Sequence, residues 1–302
     1  MTIFNPNLIL PFVAALIPLV IVGLAVHWDR HSRQLNEKSP QSEKLLRPPG
    51  HSLSLRLDKT IDKFLDYIMV AALCAAFGGG AASIFALALG EKAPFIWLAG
   101  LFSVAALFIG LCAWFSLRAF HCADRARGVR LGLRGERAVA EALGETADCG
   151  FRAFHDFPAE DHWNIDHVVV GSRGVFLIET KARRRHRISR KSKQKAHEVI
   201  FDGSLLQFPY GKTDRPINQA RGNAQWLAKY LTKRTGEPVA VEPLVVLPGW
   251  FVSSTQKGDF PVKAMNAVYL VEYLRGQTET IGPAQVRRII AALDEKCRDV
   301  EF

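Results

Sequence analysis

The sequence predicts an α/β domain that follows an α-helical membrane region. Almost all of the long apolar runs in the 302-residue chain lie before residue 118. Farther on, two short apolar runs rich in β-branched residues, 164–170 and 174–181, are separated by a Gly-Ser-Arg-Gly turn signal. Such runs are typical of adjacent strands in a buried sheet. Helical periodicity at 128–143 and 283–297 supplies helices to cover that sheet.

Three apolar segments, at residues 8–26, 67–89 and 95–117, are each long enough to cross a bilayer. Only a few residues around Glu91 separate the second from the third, so we expect these two to form a tight helical hairpin. A Gly triplet at 78–80 suggests a flexible or kinked point in the second helix, and close helix packing is the alternative. The predicted organisation is a first transmembrane helix at 1–28, a basic loop at 29–66, a transmembrane hairpin at 67–117 and a soluble domain at 118–302.

The basic residues beside these segments predict an orientation. Residues 1–7 carry no Lys or Arg, the loop 29–66 carries eight, and residues 118–134 carry five. Because Lys and Arg accumulate on the cytoplasmic side, the N-terminus should be outside and the C-terminal domain in the cytoplasm. The protein should therefore be a multi-pass protein of the inner or plasma membrane that contacts lipid through three helices.

The loop 29–66 contains Pro40 and a Pro-Pro-Gly sequence at 48–50. These residues favour an irregular linker, in which residues 53–65 form an amphipathic piece at the membrane surface. The spans have no charged residue in their cores, which gives a transport function little support.

Three charged residues interrupt the two predicted strands: Asp166, Glu179 and Lys181. Because strand side chains alternate between faces, Glu179 and Lys181 should project to the same side. Burying such charges costs several kcal/mol unless they are paired or bound to a metal, so their presence favours a chemical role. The alternative is a surface salt bridge between Glu179 and Lys181 or a nearby arginine.

The spacing of these residues, an Asp, twelve residues and then Glu-x-Lys, resembles the PD-(D/E)xK nuclease superfamily. Over residues 130–275 the sequence is similar to the nuclease-related domain (NERD) family. The resemblance implies a restriction-endonuclease-like mixed sheet flanked by helices. It also implies that Asp166 and Glu179 hold Mg²⁺ (or Mn²⁺), and that Lys181 positions or activates the attacking water.

Glu136 lies on the predicted helix 128–143, in register with the apolar residues Val139, Ala140 and Leu143. Its side chain should therefore point inward. A Gly-Glu element begins the domain in the family that the chain resembles, which implies that Glu136 completes the acidic site. The alternative is a helix-terminal glutamate paired with a neighbouring arginine.

A further helix should begin at Pro216 and carry Gln219. The family has Asn-Pro-x-x-Gln here, whereas this chain has Arg215 in place of the Asn. The resemblance implies a site role for Gln219 and leaves the role of the missing Asn open. The alternative for Gln219 is an ordinary helix-capping amide.

A basic run follows Lys181 directly, and the region 118–302 has 30 basic and 22 acidic residues. Such a surface fits a polyanion, and we expect phosphate contacts with nucleic acid, most simply DNA. A solvated or membrane-facing loop is the alternative. The predicted nucleic-acid contacts are Arg183, Arg184, Arg185, Arg187, Arg190, Lys191, Lys193 and Lys195.

Several other chemistries have little support. The five cysteines include no Cys-x-x-Cys pair, and His155, His162 and His167 do not have the spacing of a compact metal site. Neither a Walker-type loop nor a Ser-His-Asp order stands out. The sequence thus predicts a membrane-anchored, metal-dependent nuclease that hydrolyses phosphodiester bonds. The alternative is a membrane-tethered module that binds nucleic acid or a protein without cutting.

Overall fold

The computed structural model describes residues 43–89, 95–160, 163–184, 197–254, 258 and 260–300, with four isolated positions before residue 30. For residues 82–89 and 95–98 only the backbone is described. The chain divides into two compact units. The first comprises Met1–Pro40 and Leu57–Arg127, and the second comprises Gln41–Arg56 and Gly128–Phe302.

Secondary structure occupies most of the described chain. The helices are α1 (His51–Leu89), α2 (Phe95–Gly144), α3 (Arg215–Thr235), α4 (Ala267–Arg275) and α5 (Pro283–Cys297). The strands are β1 (Leu45–Leu46), β2 (Arg152–Glu160), β3 (Trp163–Gly171), β4 (Gly174–Thr180), β5 (Glu198–Phe201), β6 (Leu206–Phe208), β7 (Gly211–Thr213), β8 (Glu242–Val246), β9 (Phe251–Ser254), β10 (Lys263–Met265) and β11 (Arg298–Val300).

Two helices, α1 and α2, are long and apolar enough to cross a membrane within the described residues. They contain the second and third predicted spans. The apolar part of α2 ends near residue 117, and residues 118–144 of the same helix carry many charges. The first predicted span, 8–26, lies outside the described residues apart from isolated positions.

The Gly triplet does not interrupt α1, which is continuous from His51 to Leu89. A Cβ atom added at Gly78 would lie only 2.5 Å from the Cβ of Phe108 in α2. Gly78 therefore allows two helices to approach closely, as small residues do in membrane helix pairs. At this residue the structure supports the alternative interpretation, close helix packing.

The expected irregular linker is also partly ordered. Leu45 and Leu46 form β1, and α1 begins at His51, so the predicted amphipathic piece 53–65 belongs to a long helix. Similarly, the helix predicted at 128–143 is the C-terminal part of α2, because no proline separates it from the apolar segment. The Pro-Pro-Gly sequence ends immediately before α1, where it does not obstruct the helix.

The second unit is built on a mixed five-stranded sheet in the order β10-β8-β4-β3-β2. Strands β2, β3 and β4 are antiparallel neighbours, whereas β4, β8 and β10 run parallel. The strand pair predicted on either side of the Gly-Ser-Arg-Gly turn is confirmed as β3 and β4. A smaller sheet has the order β7-β6-β5-β9.

Helices pack on both faces of the five-stranded sheet. On one face Leu227 of α3 and Leu293 of α5 are fully buried in the larger core cluster. On the other face Val139 of α2 and Leu270 of α4 are fully buried in a second cluster. The mixed α/β architecture with flanking helices is thus confirmed. It brings the inward face of α2 against the strands that carry the charged residues.

Candidate active site

Four carboxylates interact electrostatically in the second unit, and we call them the acidic cluster: Glu136, Asp156, Asp166 and Glu179. Glu136 lies on the charged C-terminal part of α2, Asp156 on β2, Asp166 on β3 and Glu179 near the end of β4. Asp156, Asp166 and Glu179 come together because their strands are neighbours in the sheet. Glu136 joins them through the packing of α2. The sequence predicted Glu136, Asp166 and Glu179 as site residues, and the structure brings these three together.

Asp166 is half-buried, and its Oδ2 atom accepts a hydrogen bond from the backbone N–H of Thr180 at 2.7 Å. Burial raises the pKa of its carboxyl group to about 6, although the Thr180 N–H and the Lys181 charge both oppose this shift. The bond ties Asp166 to the end of β4, immediately beside Glu179.

Glu179 is only 3% exposed, and burial, followed by the negative charge of Asp166, raises its pKa well above the ordinary value. Glu136 is 6% exposed, and burial together with the charges of Asp166 and Asp156 raises its pKa to about 9. The Oε2 atoms of both glutamates are buried without a hydrogen-bond partner. Buried polar atoms of this kind are costly, and a hard cation with oxygen ligands would satisfy them.

Lys181 directly follows β4. Its backbone N–H donates to the carbonyl oxygen of Val246 at 2.8 Å, which holds this residue beside β8. Its Nζ atom is 3.8 Å from Oε1 of Glu179, and about a third (32%) of its side chain is exposed. Because Glu179 is buried, this contact differs from the ordinary surface salt bridge that was the alternative interpretation.

The first turns of α3 carry the polar residues Arg215, Gln219 and Asn223. Gln219 is half-buried in the second turn, and Asn223, one turn farther on, is 9% exposed with its Nδ2 atom unpartnered. Although burial dominates the raised pKa of Glu179, the charge of Arg215 is one of the smaller contributions that lower it. The positively charged Arg215 side chain is thus near the cluster, at the position where the family has Asn.

Asp156 was not among the predicted site residues. It is fully buried, and its backbone has a φ of 49°, which is uncommon for a residue other than glycine. His155 pairs with His167 and Phe157 pairs with Ile165, so Asp156 lies opposite Asp166 in the register of β2 and β3. The cross-strand register thus identifies Asp156 as a neighbour of the predicted site residues.

The predicted basic run is only partly within the described residues. The Arg183 guanidinium lies over the Phe208 ring, 4.5 Å from its centre. The backbone carbonyl oxygen of Arg183 accepts a hydrogen bond from Trp250 Nε1 at 3.3 Å. The Tyr210 hydroxyl donates to the carbonyl oxygen of Arg184 at 3.1 Å. The first two arginines are therefore anchored on aromatic side chains. The other predicted contacts, Arg185, Arg187, Arg190, Lys191, Lys193 and Lys195, lie outside the described residues.

Two histidines form a separate pair. Nδ1 of His155 is 2.8 Å from Nδ1 of His167, and burial lowers the pKa of His155 to about 4 and that of His167 well below its ordinary value. Strand alternation directs His167 away from Asp166. In the part of the chain that the structure describes, no group of three or more His, Cys, Asp or Glu side chains is already arranged to hold a metal ion. Among the described residues, the acidic cluster is therefore not a preassembled set of metal ligands.

The fold and site define the class of protein: a mixed α/β domain in which Asp166 of β3 lies opposite Glu179, near the end of β4, and Lys181 follows that strand. Residues 131–248 match the family model of the nuclease-related domain, so the resemblance to the NERD family is confirmed over these residues. No curated protein and no solved structure matches the chain.

Proposed function

We propose that the protein is a membrane-anchored, metal-dependent nuclease that hydrolyses phosphodiester bonds. The observation that carries this proposal is the pair of unpartnered, buried carboxylate oxygens of Glu136 and Glu179 beside Asp166 and Lys181. A purely structural core has no need for several mutually repelling carboxylates. The NERD match supports the same chemistry, and we infer a restriction-endonuclease-like fold from it.

In the proposed site, Asp166 and Glu179 hold Mg²⁺ or Mn²⁺, since carboxylate oxygens are the ligands that these hard cations prefer. A bound cation of this kind polarises the scissile phosphate and lowers the pKa of the attacking water. The Thr180 N–H fixes one oxygen of Asp166 and leaves its other oxygen for the cation. Glu136 completes the negative site directly or through a water molecule.

Lys181 is proposed to position the attacking water. Its positive charge would also offset the negative charge that develops on the phosphate. Its Nζ atom has reach for this role because it lies between buried Glu179 and solvent. Gln219 is the proposed hydrogen-bonding group at the rim of the site. Arg215, beside it, adds positive charge on the same side.

The proposed substrate is nucleic acid, and DNA in particular. Phosphates would contact the basic run that begins at Arg183 and Arg184. Tyr210, which is 41% exposed and packs against Phe208, offers a ring on which a base can stack. The basic run and this aromatic cluster are therefore proposed as one nucleic-acid interface.

The proposed membrane anchor consists of α1 and α2 together with the predicted helix at 8–26. Their length and apolar composition support it, and the Lys and Arg bias places the NERD domain in the cytoplasm in this proposal.

The decisive experiment measures nucleotide release by the full chain in detergent from single- and double-stranded DNA and from RNA, with and without Mg²⁺ or Mn²⁺. We expect cleavage only with metal, and a loss of roughly a hundredfold or more in Asp166→Asn and in Lys181→Ala. Lys181→Ala should still bind metal because the carboxylates remain, whereas Asp166→Asn should lose both properties. Lys229→Ala, at an exposed position of α3, is the matched control.

If folded wild-type protein cuts none of these substrates, or if Lys181→Ala cuts as fast as wild type, the nuclease proposal fails. The tethered binding module then takes its place. Binding of labelled DNA measured in the same samples would support that second function.

A further inference from the structure

Residues 43–56, which we call the strap and which include the start of α1, belong to the same compact unit as residues 128–302 although the apolar segments separate them in the chain. Leu45 pairs with Val300 in the antiparallel β1–β11 ladder. The backbone N–H of Arg47 donates to the carbonyl oxygen of Cys297 at 3.1 Å, and Leu46 packs against the larger core cluster. The strap is therefore an ordered part of the domain and lies outside the matched residues 131–248.

The strap holds the carboxylate of Asp156. Its Oδ2 atom accepts hydrogen bonds from the Ser52 N–H at 3.1 Å, the Ser52 hydroxyl at 2.6 Å and Nη1 of Arg47 at 3.2 Å. Its Oδ1 atom accepts one from the Asn164 amide. Ser52 lies in the first turn of α1, where backbone N–H groups have no partner within the helix and favour negative charge.

The strap also contacts a second member of the acidic cluster. A Cβ atom added at Gly50 would lie 3.5 Å from Oε2 of Glu136 and 2.3 Å from Cδ1 of Leu133. Gly50 has a φ of +71°, so it combines the close approach with a backbone conformation that other residues rarely adopt. The segment from Gly50 to Ser52 thus covers two acids of the cluster at once.

The Arg47 guanidinium, 3.2 Å from Oδ2, offsets part of the charge of Asp156, yet a carboxylate at this position remains costly. The negative charge of Asp156 adds to the repulsion on Glu136 and on Asp166. Its positive φ costs roughly 1 kcal/mol or more for a residue other than glycine. A fourth negative charge, held rigidly in a strained position opposite Asp166, becomes favourable when a cation occupies the cluster.

We propose that the strap is part of the metal site, with Arg47 and Ser52 as positioning residues that hold Asp156 beside Asp166 as a fourth carboxylate for the cation. This inference rests on the metal-binding part of the proposed function. Full cation affinity would accordingly require residues from both ends of the second unit.

The test measures Mn²⁺ affinity of the full chain in detergent from the electron paramagnetic resonance signal of free Mn²⁺. Ser52→Ala should weaken Mn²⁺ binding roughly tenfold or more, as is typical when a residue that orients a ligand is removed. Ser52→Thr, which keeps the hydroxyl, should restore the affinity. Ser54→Ala is the matched control, because the Ser54 hydroxyl donates to the carbonyl oxygen of His51, within its own helix turn.

A second pair of variants guards against a folding defect. Arg47→Gln should weaken Mn²⁺ binding, whereas Asp299→Asn, which removes the other carboxylate bound by Arg47, should leave it unchanged. Thermal melting without metal shows whether each variant folds. Equal Mn²⁺ affinity of Ser52→Ala and Ser54→Ala in folded proteins would overturn the inference.

The outcomes separate this inference from the nuclease proposal. If wild type binds Mn²⁺ in a Ser52-dependent manner but cuts no nucleic acid, the strap inference stands and the nuclease proposal fails. If wild type cuts with metal while Ser52→Ala and Arg47→Gln bind Mn²⁺ normally, the reverse holds. A wild-type protein that binds no Mn²⁺ overturns the inference.

Discussion

Glu136 and Glu179 each have a buried carboxylate oxygen without a partner, and burial raises the pKa of both groups. Near neutral pH and without metal, Glu136, whose pKa is about 9, therefore keeps its proton, and the pKa of Glu179 is shifted in the same direction. A cation must displace such protons to bind, so its affinity should rise with pH.

Glu136 also makes the stability of the metal-free protein depend on pH. Its pKa is raised from 4.5 to about 9, so between these values the folded protein keeps a proton that the unfolded chain releases. Stability is therefore greatest below the unfolded pKa and falls as pH rises, by up to about 1.4 kcal/mol per pH unit. We expect the melting temperature of the full chain in detergent, without metal, to fall between about pH 5 and pH 9.

Glu136→Gln should flatten this decline, because the amide does not ionise. Glu141→Gln, an exposed position on the same helix, should leave the profile unchanged. A wild-type melting temperature that is constant or rises over this range would contradict the burial of an uncompensated glutamate. Added Mg²⁺ should reduce the decline at high pH in wild type only.

Metal stabilisation gives a second prediction at this scale. Mg²⁺ or Mn²⁺ should raise the melting temperature of the full chain because it relieves repulsion among the carboxylates. The gain should vanish in the double variant Asp166→Asn, Glu179→Gln. If metal stabilises wild type and double variant equally, the cation binds elsewhere.

Strand alternation was sufficient to predict that Glu179 and Lys181 share a side, and the resemblance to the nuclease superfamily implied that Asp166 joins them. The structure agrees, since Asp166 of β3 lies opposite Glu179 of β4. Glu136 followed from helical periodicity. Asp156 could not be identified in this way, because its position depends on the β2–β3 register and on contacts with Ser52, which is 104 residues away. Local patterns contain no information on such distant contacts.

Among the elements, α1 shows where local patterns failed. Prolines at 48 and 49 predict an irregular linker, yet they lie just before the start of α1. Their missing backbone N–H groups cost nothing there, because N–H groups at a helix start make no hydrogen bond within the helix. The strand before them is only two residues long and is stabilised by pairing with β11, at the other end of the chain. Two leucines give no periodic signal, so β1 could not be predicted.

The basic run after β4 gives a prediction for an element. Replacing Arg185, Arg187, Lys191 and Lys193 by Gln should weaken nucleic-acid binding and lower the log–log salt slope by about one unit for each phosphate that is no longer neutralised. The measurement is DNA binding by the full chain at several salt concentrations. Four Gln substitutions on exposed α3 and α5 positions, namely Lys229, Lys233, Arg287 and Arg288, form a charge-matched control.

If the run faces lipid instead, the same variant should bind DNA normally and lose affinity for anionic liposomes. Normal DNA binding with an unchanged salt slope would therefore contradict the nucleic-acid interface. It would leave the acidic cluster without its proposed route for the substrate.

For the whole molecule, the distribution of Lys and Arg predicts topology. A reporter fused after Phe302 should report the cytoplasm, and one fused before Met1 should report the opposite side. This topology keeps the eight basic residues of 29–66 and the five of 118–134 on the cytoplasmic side, where Lys and Arg accumulate. A C-terminal reporter that is active outside the membrane would overturn the orientation and weaken the nuclease proposal.

The division of the second unit between 41–56 and 128–302 also has a consequence for biosynthesis. The ribosome makes the strap before the two long apolar helices and makes residues 298–300 after them; these residues include Asp299, the partner of Arg47 across 252 positions. Contacts this distant in the chain form only after a large loop closes. The second unit of a nascent chain therefore stays incomplete while the apolar helices are being made, and it can close only once residues 298–300 have been synthesised.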